Sequence, residues 1–161
     1  MSALRLVENA KIVVGAVPID TTGAAVTGDY VSMKGYTHLT IVIMQGAWAG
    51  GTPAVTLKQA TDVAGTSEKA LSFSYYWAGT ALTDDQYAKT TVSSDTYNLA
   101  ATANKVNVIE VDASSLDADN GFDCVRLGIA SPGANADLIA VLYILTGTRY
   151  PQAITPAAIS D

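Results

Sequence analysis

The chain contains few residues that could carry out acid–base or nucleophilic chemistry. His38 is the only histidine and Cys124 the only cysteine. Ser-His-Asp or Cys-His catalysis would therefore need His38 as its base. The alternating residues around His38 place it inside a strand, which favours a structural or surface role. Cys124 is flanked by predicted buried strand positions and is expected to be a packed thiol. We therefore expect that the protein is not an enzyme.

A cluster of acidic residues before Gly121 is the strongest candidate for a metal site. The pattern Asp117-x-Asp119-Asn-Gly121 is similar to the start of a calcium loop. However, the glycine comes one residue early, and Gly128 stands where the closing bidentate glutamate should be. No pair of Cys or His residues has zinc spacing, and no phosphate-binding loop pattern occurs. The sequence thus predicts neither a metal nor a cofactor.

Aromatic residues are better candidates for a binding surface. Trp48 lies in a glycine-rich tip, residues 45–53, among side chains too small to cover its ring. The densest aromatic group is Tyr75-Tyr76-Trp77. Such rings stack on sugars and anchor protein interfaces, so Trp48, Tyr75 and Tyr76 are candidate protein-contact residues. The alternative is that Trp48 folds back over the end of the domain and that Tyr75 and Trp77 belong to the core.

The elements that position these residues have the period-two pattern of β-strands. Leu39, Ile41 and Ile43 point to one side of a strand at 37–44, and the residues between them point to the other. A second strand, 54–60, follows the glycine-rich tip, and we expect the two strands to form a hairpin. Further strands are predicted at 11–17 (stopped by Pro18), 30–33, 71–77, 106–111, 122–130 and 137–146, the last apolar on both faces.

About eight strands with short connections predict an all-β fold, an antiparallel β-sandwich of the jelly-roll type. One helical turn is expected within 62–70 and another within 112–120, the second capped by Ser114-Ser115 and ended by Gly121. We divide the chain into an N-terminal arm or short helix (1–10), a sandwich domain (11–148) and an extended C-terminal arm (149–161). The C-terminal arm contributes Arg149 and Tyr150 as further candidate contact residues.

Composition narrows the classes of partner. The chain has 161 residues, with nine basic against fifteen acidic residues and a formal net charge of −6. No window is rich in Lys or Arg, so direct nucleic-acid binding is not expected. The longest apolar run, 138–145, is far shorter than the ~20 residues of a membrane span, and no signal peptide is predicted at the N-terminus. Only 15% of residues are charged, against about 25% in an average domain. Such a surface is typical of a homo-oligomer.

Several stretches of the chain resemble small virion structural proteins of tailed bacteriophages. They are residues 31–43, 53–62 and 68–71, then Asp123-Cys-Val-Arg-Leu127 with 136–143. The resemblance covers most of residues 11–150 in texture and short phrases. It implies a non-enzymatic protein of the virion, assembled in the host cytoplasm. Within that class it implies a capsid decoration or cement protein, whose partners are the major capsid protein or other virion subunits.

Two alternatives follow from the same residues. A head–tail connector or tail structural protein is the nearest variant of the virion hypothesis. A carbohydrate-binding or adhesin module is a different class, indicated by Trp48 and the Tyr75-Tyr76-Trp77 group. For Trp48→Ala, the interface hypothesis predicts weaker assembly with an intact fold.

Overall fold

The computed structural model describes residues 6–80, 83, 85–148 and 157–159, which form twelve strands, one short α-helix and two 3₁₀ helices. The helices are α1 (Leu6–Asn9) and the 3₁₀ helices Ala113–Ser115 and Ala118–Asn120. The strands are β1 (Ala10–Asp20), β2 (Val26–Thr27), β3 (Val31–Ser32), β4 (Tyr36–Trp48), β5 (Ala54–Ala60), β6 (Lys69–Ala70), β7 (Tyr75–Thr80), β8 (Ala88–Thr91), β9 (Thr96–Asn98), β10 (Lys105–Asp112), β11 (Cys124–Ile129) and β12 (Asp137–Thr148).

The strands form two antiparallel sheets in jelly-roll order. The first sheet runs β1-β12-β4-β10-β7-β8, and the second runs β2-β11-β5-β6, with β3 also on β11 and β9 also on β5. We number the segments β1, β2, β4, β5, β6, β10, β11 and β12 from one to eight along the chain. The first sheet then begins 1-8-3-6 and the second reads 2-7-4-5, the arrangement of two Greek keys in a jelly roll. The predicted all-β sandwich is confirmed, and the short strands β3, β7, β8 and β9 are additional to this frame.

The predicted hairpin of residues 37–60 is wrong, although both of its strands exist. Strand β4 continues through Trp48 and pairs with β10 and β12, so both of its edges are occupied. Strand β5 has the predicted bounds but pairs with β11, β6 and β9 in the other sheet. Residues 49–53 therefore connect the two sheets and are not the tip of a hairpin.

Strand β1 also runs past its predicted end at Pro18. It lies at the edge of the first sheet and pairs only with β12 among the described strands. An edge strand tolerates a missing N–H that points away from its neighbour. The pairing shifts register between Val14 and Ala16 and again between Ala16 and Ile19. These irregularities accommodate Pro18 within the strand.

The helical predictions are correct only in part. Residues 62–68 form turns, and the predicted helical turn between β5 and β6 is not present there. The stretch 112–120 holds the two 3₁₀ helices, whose N-cap residues are Asp112 and Asp117, so Ser114-Ser115 does not cap them. Gly121 ends the second one with φ of 81°, as predicted, because this left-handed conformation favours glycine.

The core lies between the sheets and is linked by a tyrosine that reaches across it. Tyr143 on β12 is fully buried, and its hydroxyl accepts a 2.9 Å hydrogen bond from the backbone N–H of Leu127 on β11. Burial raises the pKa of Tyr143 to about 12. Gly15 and Gly28 leave room for the ring, since a Cβ added at Gly28 would lie 2.4 Å from the Tyr143 hydroxyl. Cys124 is fully buried in the second sheet, as predicted.

Candidate protein interface

The outer side of the first sheet carries a row of large apolar side chains. Val14 on β1 lies opposite Leu142 on β12, Leu142 opposite Val42 on β4, Val42 opposite Val108 on β10, and Val108 opposite Trp77 on β7. Each of these residues alternates with neighbours that face the core, so the row points away from it. Five neighbouring strands thus present one continuous apolar line.

Adjacent rows widen this line into a patch. The patch, which we call the apolar face, comprises Ile12, Val14, Val42, Met44, Trp77, Val106, Val108, Leu138, Ala140, Leu142 and Ile144. Ile12, Val14, Met44 and Leu138 remain 40–49% exposed. With ~4.8 Å between strands and ~6.8 Å between outward residues, the apolar face covers about 350 Å² in projection. The largest apolar patch of a typical monomer measures about 300–600 Å² and is often functional, which makes the apolar face a candidate interaction site.

The outer side of the second sheet is polar by contrast. Thr56 and Lys58 face outward from β5, and Lys58 lies opposite Arg126 on β11. Glu68 accepts hydrogen bonds from Lys58, from Arg126 at 2.7 Å and from the Tyr30 hydroxyl at 2.9 Å. Hydrogen bonds from these donors, of which the one from Lys58 has the largest effect, lower the pKa of Glu68 to about 2. This side has the internally paired charges of an ordinary solvent face.

Charged residues border the apolar face at the end of β4 and β10. The His38 ring is held between Asp112, 2.8 Å from Nδ1, and Glu110, 2.5 Å from Nε2. The Thr40 hydroxyl also donates to Glu110. Partial burial alone would lower the pKa of His38, but its hydrogen bonds to Asp112 and Glu110 outweigh this effect and raise that pKa above its ordinary value. The doubly protonated ring can donate to both carboxylates, which links β4 to β10.

The aromatic cluster lies on β7, at another border of the apolar face, with a strand phase that the sequence did not predict. Phe73 is buried, but β7 begins only at Tyr75. The alternation of inward and outward side chains therefore does not continue in phase from Phe73 into β7. Tyr76 consequently faces inward and stacks on Tyr97 with ring centroids 3.8 Å apart. Tyr75 and Trp77 lie on the other side of β7 from Tyr76, so the alternative of a core position for these two residues is wrong.

Tyr75 and Trp77 form a bordering group together with a lysine from β8. Their rings meet edge to face at 89°, with centroids 6.4 Å apart. The ammonium of Lys89 lies 3.8 Å from the Tyr75 ring centroid and 5.6 Å from that of Trp77. Such cation–π contacts hold Lys89 at this edge of the apolar face.

The sequence suggested that Trp48 extends from a loop without support, but in the structure its ring is supported. It ends β4, is half-buried, packs against the core and donates from Nε1 to the Gly51 carbonyl at 3.2 Å. The buried carboxylate of Asp137 accepts from the backbone N–H groups of Ala49 at 2.7 Å and Gly50 at 3.2 Å, which anchors the turn. Asp137 was missed in the sequence, although an acidic residue at the start of an apolar strand was a visible signal.

The remaining candidate residues lie near the C-terminus. Arg149 and Tyr150 are outside the described residues, together with most of the proposed arm. Ala158 is fully buried, and its carbonyl accepts a 2.7 Å hydrogen bond from the N–H of Ser32 on β3. The described piece of this segment therefore packs on the sandwich of its own chain.

The residues of the calcium-like pattern take part in other contacts. Asp117 pairs with Lys69 and accepts hydrogen bonds from the Asn120 amide. Within the described ranges, no three His, Cys, Asp or Glu side chains are grouped as metal ligands would be. Nor does any described helix have the length and apolar character needed to cross a membrane.

Comparison with known proteins supports the fold. No protein-family model matches the chain, and no curated protein matches it. The chain is similar to the crystal structure of the SPBc2 prophage-derived protein YomS, with a TM-score of 0.50 and 15% identity over 86% of this chain and 94% of that one. At this identity the similarity shows a shared fold. Alignments with the infectious bursal disease virus Gt strain and with T=1 particles derived from infectious bursal virus both have TM-scores of 0.26 at 10% identity, covering 92% of this chain and 44% and 42% of theirs. Similarity at that level does not establish a shared fold.

Proposed function

We propose that this chain is a non-enzymatic structural protein of a bacteriophage virion, in particular a decoration or cement protein of the head. The observation that carries the proposal is the apolar face, because a folded subunit that leaves such a surface uncovered gains stability when a protein neighbour buries it. Two further observations support the phage setting. Jelly rolls are a common architecture of viral capsid domains, and the prophage-derived YomS shares this fold over most of its length.

The physical properties of the surface suit a lattice protein. Burial of about 350 Å² at ~25 cal/mol per Å² gives on the order of 9 kcal/mol before the costs of association are subtracted. These costs are on the order of 4–15 kcal/mol, so one contact of this kind is modest. A capsid subunit or a second copy of the chain can bury this face, and in either case repetition over a capsid multiplies modest contacts through avidity. The proposal therefore relies on assembly and needs no tight single site.

Co-sedimentation with phage heads tests this function. The major capsid protein of the genome that encodes this chain is expressed alone and assembled into empty heads, and the purified chain is then added. We expect the chain to pellet with the heads at a saturable ratio and to raise the temperature at which they disassemble. A chain that stays in the supernatant at all concentrations would contradict a decoration role. Electron microscopy of labelled virions would then distinguish a connector or tail location.

A carbohydrate-binding module is the second candidate, and one observation favours it. Tyr75 and Trp77 place two rings at a right angle on the outer side of the first sheet, and jelly rolls also occur in lectin domains. A glycan array probed with the wild-type chain and with Trp77→Ala tests this idea. Loss of a positive signal in that variant, with the signal kept in Tyr87→Phe, would support sugar binding. An array without signal would exclude the glycans it displays.

A further inference from the structure

We propose that the apolar face binds a second copy of this chain and forms a symmetric face-to-face dimer. This inference rests on the proposed function only for its setting in a virion, where it names the neighbour that covers the face. The dimer itself is measurable on the purified protein without any phage head.

The outer side of the first sheet matches a standard protein interface in area and in the distribution of apolar and polar residues. The whole outer side of the six-stranded sheet measures about 900 Å² in projection. Its centre is apolar, while Thr40, Glu110, Asp112 and Lys89 lie around it. Stable interfaces bury about 800 Å² per partner, with an apolar core and a polar rim. The outer side of this sheet has that area and that anatomy.

The borders of the apolar face carry opposite charges that can pair between two copies of the chain. Lys89 lies at one border, in the row that continues from Val42 through Val108 and Trp77. Asp112 lies at another border, opposite His38 on the same strand pair. Measured along the ladders, both are roughly 15–17 Å from the midpoint between Val42 and Leu142.

A two-fold axis that lies in the face and passes through that midpoint can therefore bring these charges together. In this arrangement Lys89 of each copy meets Asp112 of the other, and the two apolar centres coincide. An interface with two-fold symmetry requires such self-complementarity, because every contact occurs twice. A partner with a different surface would not need it.

The edges of the first sheet and the outer side of the second sheet disfavour other modes of self-association. Among the described residues, strand β1 is one unpaired edge of the first sheet, and its register shifts and Pro18 interrupt a regular ladder. The other edge, β8, has four exposed residues that include Lys89. Short, irregular and lysine-bearing edges resist pairing with another sheet. The described residues on the outer side of the second sheet form no second apolar patch, so one self-complementary face closes the assembly at two copies.

Sedimentation velocity of the full chain over a range of micromolar concentrations tests the dimer. The decisive variant is Met44→Lys, because Met44 lies within the apolar face, is 40% exposed and has a straight side chain of similar length. The substitution puts one ammonium per copy into the buried centre, and we expect at least a 100-fold weaker dimer. The matched control is Thr56→Lys on the outer side of the second sheet, which should dimerise like wild type. Val14→Lys, at a 49% exposed edge position, repeats the test if Met44→Lys unfolds.

Charge reversal tests the proposed arrangement of the two copies. Lys89→Glu and Asp112→Lys should each weaken the dimer roughly three- to tenfold, and the double variant should recover most of the loss. A wild-type chain that stays monomeric, or a dimer that Met44→Lys leaves intact, overturns the proposal, and a double variant no better than the single ones overturns the two-fold arrangement. A dimer that does not bind heads would contradict the virion function while supporting this inference. A monomer that binds heads would do the opposite.

Discussion

The hydroxyl of Tyr143 joins the two sheets, and its removal should measure how much that link stabilises the sandwich. The hydroxyl accepts from the Leu127 N–H, and both residues are essentially inaccessible to solvent. Tyr143→Phe keeps the ring but leaves this donor without its partner. A buried unpaired donor costs about 1–3 kcal/mol, so we expect the free energy of unfolding to fall by about 2 kcal/mol. For a chain of this length the melting temperature should fall by about 4–8 °C.

Denaturation in urea gives the change directly, with hydrogen exchange at Leu127 as a local measure. Tyr87→Phe is the matched control, because Tyr87 is 45% exposed and its substitution should change stability by less than about 0.5 kcal/mol. Faster exchange at Leu127 in Tyr143→Phe would agree with an opened hydrogen bond. If Tyr143→Phe is as stable as the Tyr87→Phe control, the bridge between the sheets contributes nothing and the reasoning is refuted.

Three further predictions concern stability. The raised pKa of His38 means that its contribution is fully present below its unfolded pKa of about 6.5 and is lost as the pH rises through the higher folded value. His38→Gln should therefore flatten the pH dependence of unfolding in that range, and an unchanged profile would argue against the ion pairs. Gly28→Ala places a methyl group 2.4 Å from the Tyr143 hydroxyl and should destabilise by at least about 2 kcal/mol. Combination with Tyr143→Phe should recover part of that loss in a double-mutant cycle, whereas simple additivity would contradict the clash. Trp48→Ala should lower the free energy of unfolding by about 2 kcal/mol, because the ring packs against the core. Normal stability with weaker assembly would instead make Trp48 a contact residue.

The sequence predicted the fold well wherever the inward pattern was regular. Leu39, Ile41 and Ile43 face the core as their spacing indicated, and β5 has its predicted bounds. The hairpin failed because pairing is a long-range property. Strand β4 is flanked by β10 and β12, which come far later in the chain, and no local pattern around residues 49–53 records this.

The apolar face was harder to predict because its sequence pattern resembled that of a buried core. Leu138 and Leu142 made β12 apolar on both faces, which suggested a strand surrounded by protein. In the structure β12 has a neighbouring strand on each edge, but none of the described residues forms a second layer over its outer side. The outward positions Val42 and Met44 repeat this pattern on β4. The glycines near Trp48 predicted a flexible loop, but the carboxylate of Asp137 holds that turn in place.

Oxidative footprinting of Met44 tests the central claim, that the apolar face is buried by a second copy, most directly. Hydroxyl radicals oxidise exposed thioethers, and the buried Met33, 1% exposed, provides an internal reference. We predict rapid oxidation of Met44 in dilute protein and strong protection as the concentration rises through the range of dimer formation, with slow oxidation of Met33 at every concentration. Oxidation of Met44 at the same rate at every concentration would contradict it.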